Sequence, residues 1–135
     1  MIEIYSKVEP DVLLHRVIRK DTITKGRTDF SEPREFLQVS GLSVSAGKTY
    51  LSHIHKPCRK FANLTQESWV VVKGSVVVTY YDLDGTKLRS FGLWEGCCSV
   101  TYRGGHGYKI LEDNTIVYEF KTGPYYGQEQ DKEFI

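Results

Sequence analysis

The sequence predicts an all-β protein built from many short antiparallel strands. Apolar residues recur at every second position far more often than with the helical period, and they fall in short segments rich in β-branched and aromatic residues. Turn-forming pairs such as Ala46-Gly47, Asp84-Gly85 and Gly104-Gly105 separate these segments. Short strands at regular spacing with turns between them are typical of a β-sandwich or a β-barrel.

Eight segments have the strand pattern. They are FLQVSGLSV (36–44), KTYLSHIH (48–55), ESWVVVKG (67–74), SVVVTYYDL (75–83), TKLRSFGL (86–93), CCSVTYRG (97–104), YKILED (108–113) and TIVYEFK (115–121). Asp84-Gly85 predicts a tight hairpin between two of them, because both residues tolerate the positive φ that hairpin turns require.

The two ends fit the pattern less closely. We expect one further strand near the N-terminal end, and DVLLHRVIRK (11–20) fits either a strand or a short helix. The polar region 20–34 is expected to form a surface loop, and His15 to lie at the surface or an interface. The glycines and proline of GPYYGQEQDKEFI (123–135) favour an extended tail across the body or a neighbour.

Length and composition predict one domain, 1–135, in a reducing compartment. The chain has 135 residues and a net charge of +1, with 18 basic and 17 acidic residues that are scattered rather than clustered. This distribution does not predict binding to nucleic acid or to an anionic membrane. Three cysteines, two of them adjacent, do not form a disulfide framework, and no segment has the pattern of a signal peptide or a membrane span. We therefore expect a cytoplasmic protein.

The stretch LSHIHKPCRK (51–60) holds the first candidate site. In a strand, His53 and His55 would point to the same face with their Cα atoms about 7 Å apart. Two imidazoles on one face can bind one cation, and a carboxylate and a third imidazole would complete such a site. Glu67, at the start of the next strand, and His106, in RGGHG, are the candidates for those two ligands.

The spacing around this pair resembles the two motifs of the cupin family. The matching residues, in order, are Gly47, His53, His55, Glu67, Gly74, Gly96, Gly104 and His106. The resemblance covers residues 36–121 and implies a cupin double-stranded β-helix, a jelly-roll barrel, with a short N-terminal extension. It also implies a divalent metal bound by His53, His55, Glu67 and His106.

The chain departs from the family between the second histidine and the glutamate. The 11 residues from 56 to 66 form a longer gap than is usual, so KPCRKFANLTQ is interpreted as an insertion. Gln66 is an alternative ligand to Glu67, because a one-residue shift in register would turn the neighbouring side chain inward.

The ligand set suits Fe, Mn, Ni, Zn or Cu, and an open coordination position would permit isomerase chemistry or, with iron, oxygenase chemistry. Trp69 and Val71 are expected to follow Glu67 inward along its strand. Four tyrosines are further candidates for the cavity wall: Tyr80, Tyr102, Tyr108 and Tyr118. The segments QESWVVVKGSVVVTYYDLDG, RGGHGYKILED and YEFKTGPYYGQEQDKEFI are similar to small bacterial cupins associated with surface polysaccharide and nucleotide-sugar synthesis. This similarity implies a sugar or nucleotide sugar as ligand.

Two alternatives need no metal. LSHIHK is similar to the HxHK element of cupin ketoisomerases that act on nucleotide sugars, in which case His53 and His55 would act as acid and base. The chain could also bind a sugar without changing it. Because short strands leave sheet edges to be covered, we expect a homodimer under each hypothesis.

Overall fold

The structure is a computed structural model that describes residues 1–135. Ten strands are present: β1 (Ile2–Tyr5), β2 (Leu13–Ile18), β3 (Gly26–Asp29), β4 (Ser40–Ser43), β5 (Glu67–Lys73), β6 (Ser75–Tyr81), β7 (Lys87–Trp94), β8 (Cys98–Thr101), β9 (Gly105–Ile110) and β10 (Ile116–Lys121). A 3₁₀ turn at Lys20–Thr22 and a single-turn helix, α1 (Gln128–Asp131), complete the regular structure. No helix is long and apolar enough to cross a membrane.

The strands form three antiparallel sheets. One has five strands in the order β1-β2-β8-β5-β10, one has three in the order β7-β6-β9, and β3 pairs with β4 alone. The all-β prediction is therefore confirmed. The two larger sheets end on β1, β10, β7 and β9, so their hydrogen bonding does not close into a barrel.

The main core lies between the five-stranded and the three-stranded sheet. Val17 and Val71 from the first sheet pack with Val76, Val78 and Leu93 from the second, and all are buried. Strand β6 alternates buried and partly exposed side chains along its whole length, as a strand with one face on a core should. The two sheets therefore form a sandwich.

A smaller core covers the opposite face of the five-stranded sheet. Val100 and Tyr102 pack there against Phe30, with Leu37 and Val39 at the rim. The Tyr102 hydroxyl donates to the Phe30 carbonyl at 2.8 Å. Phe30 follows directly after β3, so the region 20–34, expected to be only a surface loop, instead contains a strand and contributes to a core.

Six of the eight predicted strands correspond to β5 through β10, although β9 begins three residues earlier than predicted. Segment 36–44 contains only the short strand β4. DVLLHRVIRK contains β2, so its strand alternative is confirmed. The hairpin at Asp84-Gly85 is also confirmed, but only Gly85 takes a positive φ, of 80°, and its N–H donates to the Asp82 carbonyl at 3.1 Å.

The prediction of a strand at KTYLSHIH (48–55) is wrong. Residues 44–66 contain no strand, and Leu51 and Ile54 are 91% and 95% exposed. A strand needs a neighbouring strand to pair its backbone groups and a surface on which to pack one face. The alternation of apolar and polar residues in this segment shows which side chains would share a face in a strand. It does not show that a neighbouring strand exists.

The prediction for His15 is also wrong, because its side chain is completely buried. It stacks on Tyr80 with 4.3 Å between ring centroids. Its Nδ1 lies 3.0 Å from the Thr101 hydroxyl and its Nε2 lies 3.2 Å from the Tyr81 carbonyl. A neutral ring that donates from Nε2 and accepts at Nδ1 satisfies both partners, and burial lowers the pKa of His15 to about 4.

The free energy of unfolding should therefore fall as the pH is lowered, because His15 is neutral in the folded chain. Between pH 6.5 and 4 the unfolded chain binds a proton at this residue and the folded chain does not, so the free energy of unfolding should drop by about 3 kcal/mol across that window. Urea unfolding at several pH values measures this slope, with His15→Gln as the matched variant. The slope between pH 6.5 and 4.5 should be smaller in His15→Gln; equal slopes would contradict this assignment.

Candidate functional site

A cavity of about 610 Å³ opens between the two larger sheets, at the end of the sandwich beyond the apolar core. The lining residues belong to β5, β6, β8, β9 and β10, to the chain before β5, to the turn before β9 and to the C-terminal segment. They are Thr65, Glu67, Trp69, Tyr81, Thr101, Gly104, Gly105, His106, Gly107, Tyr108, Glu119, Asp131, Lys132, Glu133, Phe134 and Ile135. Its volume lies in the range of small-molecule sites.

Two of the predicted site residues meet on the cavity wall. Glu67 begins β5 in the five-stranded sheet, and His106 lies in β9 of the facing sheet. The Nε2 atom of His106 is 3.0 Å from Oε1 of Glu67, and their side chains are 22% and 8% exposed, respectively. The two side chains therefore form a hydrogen bond between the two sheets, where little water reaches them.

The electrostatics of this pair favour an ionised Glu67. Burial works to raise the pKa of the carboxyl, whereas the hydrogen bond to His106 lowers it. The positive charges of Lys132 and Lys121 lower it further, so the pKa of Glu67 lies below its ordinary value. An ionised carboxylate only accepts hydrogen bonds, so a neutral His106 carries its proton on Nε2. Its Nδ1 is then an acceptor, and it is buried without a hydrogen-bond partner.

An aromatic stack lies beside the pair. The rings of Trp69 and Tyr108 are parallel to within 2°, with centroids 3.9 Å apart, and one comes from each sheet. The Trp69 indole N–H donates to Glu119 at 3.0 Å. Both residues point inward from β5, but of the two predicted to line the cavity only Trp69 does so, and Val71 lies in the core.

Small polar residues of β8 support this wall from inside the sandwich. The Ser99 hydroxyl lies 2.6 Å from the Tyr80 hydroxyl and accepts from Tyr108 at 3.0 Å. Thr101 lines the cavity and also contacts the buried His15 ring. Burial raises the pKa of the Tyr108 hydroxyl well above its ordinary value, so this residue acts as a neutral hydrogen-bond donor.

The structure does not bring His53 and His55 to the cavity. Both lie in the exposed stretch 44–63, where their rings meet edge to face with centroids 5.0 Å apart. His53 Nδ1 contacts the Leu51 carbonyl at 2.9 Å. No group of three or more His, Cys, Asp or Glu side chains is placed to hold a metal ion.

The remaining predicted residues are placed as follows. Gln66 is buried and bonded elsewhere, since its Oε1 accepts from the Leu37 N–H and its Nε2 donates to Glu35, so it does not take the place of Glu67. Of the four candidate tyrosines only Tyr108 lines the cavity. Tyr80 lies in the main core, Tyr102 in the smaller core and Tyr118 on the exposed side of β10.

The sequence analysis did not single out Glu119, or Lys132 and Phe134 of the C-terminal segment, as cavity residues. Val117, Glu119 and Lys121 are two positions apart in β10 and therefore share one face of the strand. The sequence pattern does not show whether that face points to the interior. Lys132 and Phe134 carry no local signal, because a chain segment in extended conformation can pack anywhere that a partner surface exists.

Comparison of the chain with models of protein families, with curated proteins and with solved structures gives no match. The function of the site is therefore argued from its own geometry.

Proposed function

We propose that this chain is a cupin-type enzyme of sugar or polysaccharide metabolism that binds a sugar-class ligand in the 610 Å³ cavity. One observation carries the proposal: the Glu67–His106 hydrogen bond, at 3.0 Å, lies beside the stacked rings of Trp69 and Tyr108 on the cavity wall. A site for a polar ring needs both a flat apolar surface and groups that can exchange protons.

The cavity wall has the composition that a sugar requires. The C–H face of a pyranose packs on an aromatic ring, whose face carries negative potential. The carboxylates of Glu67, Glu119 and Glu133 are acceptors for sugar hydroxyls, and Lys132 is a donor. Small-molecule sites usually have a partly apolar wall that carries a few polar groups.

The chemistry that this arrangement supports is proton transfer next to a carbonyl. The Glu67 carboxylate would take the proton from the hydroxyl-bearing carbon beside the carbonyl of a keto sugar and return it to the former carbonyl carbon. The proton of that hydroxyl moves to the former carbonyl oxygen, so the sugar is isomerised without an oxidant or reductant. His106 donates from Nε2 to this carboxylate and so acts as a positioning residue, because its buried Nδ1 is out of reach of a ligand. His53 and His55 lie outside the cavity, so we assign the proton transfer to Glu67 instead.

Ligand binding is tested by thermal unfolding in the presence of monosaccharides and nucleotide sugars. A bound sugar should raise the melting temperature of the wild type and of Trp94→Ala, because Trp94 lies outside the cavity. Trp69→Ala should show about a two- to tenfold loss of affinity, since removing an aromatic stacking surface costs roughly 0.5–1.5 kcal/mol. A ligand that binds with equal affinity to Trp69→Ala and to Trp94→Ala does not use this cavity.

Turnover of the same ligand is followed by deuterium uptake from D₂O. Glu67→Gln preserves the shape of the side chain but removes the charge, so we expect uptake to slow by a factor of roughly 10² or more. Binding without uptake in the wild type would support a sugar-binding module rather than an isomerase.

A metal site is a second candidate. It is favoured by the convergence of Glu67 and His106, two of the four ligands that the cupin resemblance implies, on one wall. As placed, the other two ligands, His53 and His55, do not fit, so no catalytic step is derived through a metal. If segment 44–66 brought them to the cavity, a divalent ion could supply a Lewis acid there.

Elemental analysis of protein purified without added metal tests the second candidate. A metal-dependent site predicts about one ion per chain in the wild type and its loss in His53→Ala and in His106→Ala. Cys58→Ala is the control, because it changes the same exposed segment without removing an imidazole. Metal that persists in His53→Ala would contradict the four-ligand site.

We also propose that the fold is the cupin double-stranded β-helix and that two copies associate. In support, β9 and β10 each have an open edge, and segment 44–66 contains a strand-like sequence without a strand partner. Tyr118 and Phe120 are exposed on the edge strand β10, where they would lose contact with water in a dimer.

Light scattering after size exclusion tests this association. The wild type should have twice the 15.5 kDa mass of the chain, and Phe120→Lys should have the mass of the chain alone. Tyr5→Lys, at the opposite edge of the same sheet, is the matched control and should stay dimeric. A wild type that remains monomeric at high concentration would refute the proposal.

A further inference from the structure

The C-terminal segment Asp131–Ile135 forms one side of the cavity. All five of its residues line the cavity. The expectation that the tail lies across the body is thereby confirmed, and its position makes it part of the site. We call this segment the C-terminal wall.

One end of the C-terminal wall is firmly held. Asp131 accepts a hydrogen bond from the Thr65 hydroxyl at 2.9 Å and another from the Lys121 ammonium at 3.1 Å. Lys121 is itself positioned by the ring of Tyr125, whose centroid lies 3.8 Å from Nζ. Two hydrogen bonds to one carboxylate, one of them with an ammonium, fix this end to β10 and to the chain before β5.

The other end is held only by apolar contact. Ile135 lies against two glycines, and a Cβ at Gly105 would be 2.7 Å from its Cδ1, so the contact depends on the missing side chain. A Cβ at Gly85 would lie 3.8 Å from Ile135 Cγ2. Ile135 remains 73% exposed, so it buries little apolar area and the contact is weak.

Lys132 follows the firm end directly. It lines the same cavity as Glu67 and His106. Its positive charge helps to lower the pKa of the Glu67 carboxyl. Phe134, between Lys132 and the weak end, is exposed and adds little to the attachment. The segment is thus held by hydrogen bonds at Asp131, carries the charged Lys132 on the cavity side and is only weakly held at Ile135.

We infer that the C-terminal wall is a hinged, ligand-contacting side of the cavity: it pivots at Asp131, releases at Ile135 to admit a ligand, and presents Lys132 to the ligand when closed. This inference rests on the proposed ligand cavity. Local opening of this kind is expected where few apolar contacts hold a segment, because its free energy is then well below that of global unfolding.

Quenching of Trp69 fluorescence tests the hinge without any ligand. Trp94→Phe leaves Trp69 as the only tryptophan, since the chain contains two. In that background Ile135→Gly and Asp131→Ala should raise the acrylamide Stern–Volmer constant about two- to fivefold, because losing a partly buried contact shifts a local opening equilibrium by a few fold. Glu129→Ala is the control: it changes the same tail but does not line the cavity, and it should leave quenching unchanged.

Lys132 is tested with a charged quencher in the same background. Lys132→Met should lower quenching by iodide about twofold and leave quenching by acrylamide unchanged, because a nearby positive charge raises the local concentration of an anion. An unchanged ratio of the two quenchers would show that Lys132 does not face the cavity.

Equal quenching in the Trp94→Phe parent and in its Ile135→Gly and Asp131→Ala derivatives would overturn the hinged wall, because the segment would not shield Trp69. This result is independent of sugar binding. If quenching responds to the variants but no sugar raises the melting temperature, the hinged wall stands and the proposed function fails.

Discussion

The hydrogen bond between Glu67 and His106 is the contact on which the site depends, because it joins the two sheets where their apolar packing ends. Along β5 the inward side chains change from Val71 in the core to Trp69 at the cavity floor and Glu67 at its wall. A charged group at this depth needs a partner in the facing sheet. His106 supplies it, and the cavity is the space that the two polar side chains keep open beyond the core.

A second layer of hydrogen bonds holds this wall in place. Ser99 contacts the hydroxyls of Tyr80 and Tyr108, and Thr101 contacts the buried His15 ring. Each of these groups is inside the sandwich and would be costly to leave unpaired. These hydrogen bonds hold the Tyr108 ring and the Thr101 hydroxyl, which line the cavity, in a fixed orientation.

The strands of the sandwich were largely predictable, but the composition of the site was only partly so. Strands β5 and β6 have regularly alternating side chains and are joined at Gly74, so the local sequence pattern is sufficient to predict them. Glu67 and His106 could be named as a pair only through the spacing of the surrounding motif. His53 and His55 have the same kind of alternation as β6, yet no strand pairs with their segment, so the pattern there did not predict the structure.

The sequence by itself determined the all-β class, the positions of most strands and the inward face of β5, because period-two alternation and turn residues act within a few positions of the chain. Only the tertiary structure decided that His15 is buried and neutral, that Gln66 is bonded to Glu35, and that Asp131–Ile135 forms one side of the cavity. Each of these depends on which surfaces meet. Contacts between residues far apart in the chain leave no local pattern from which they could be inferred.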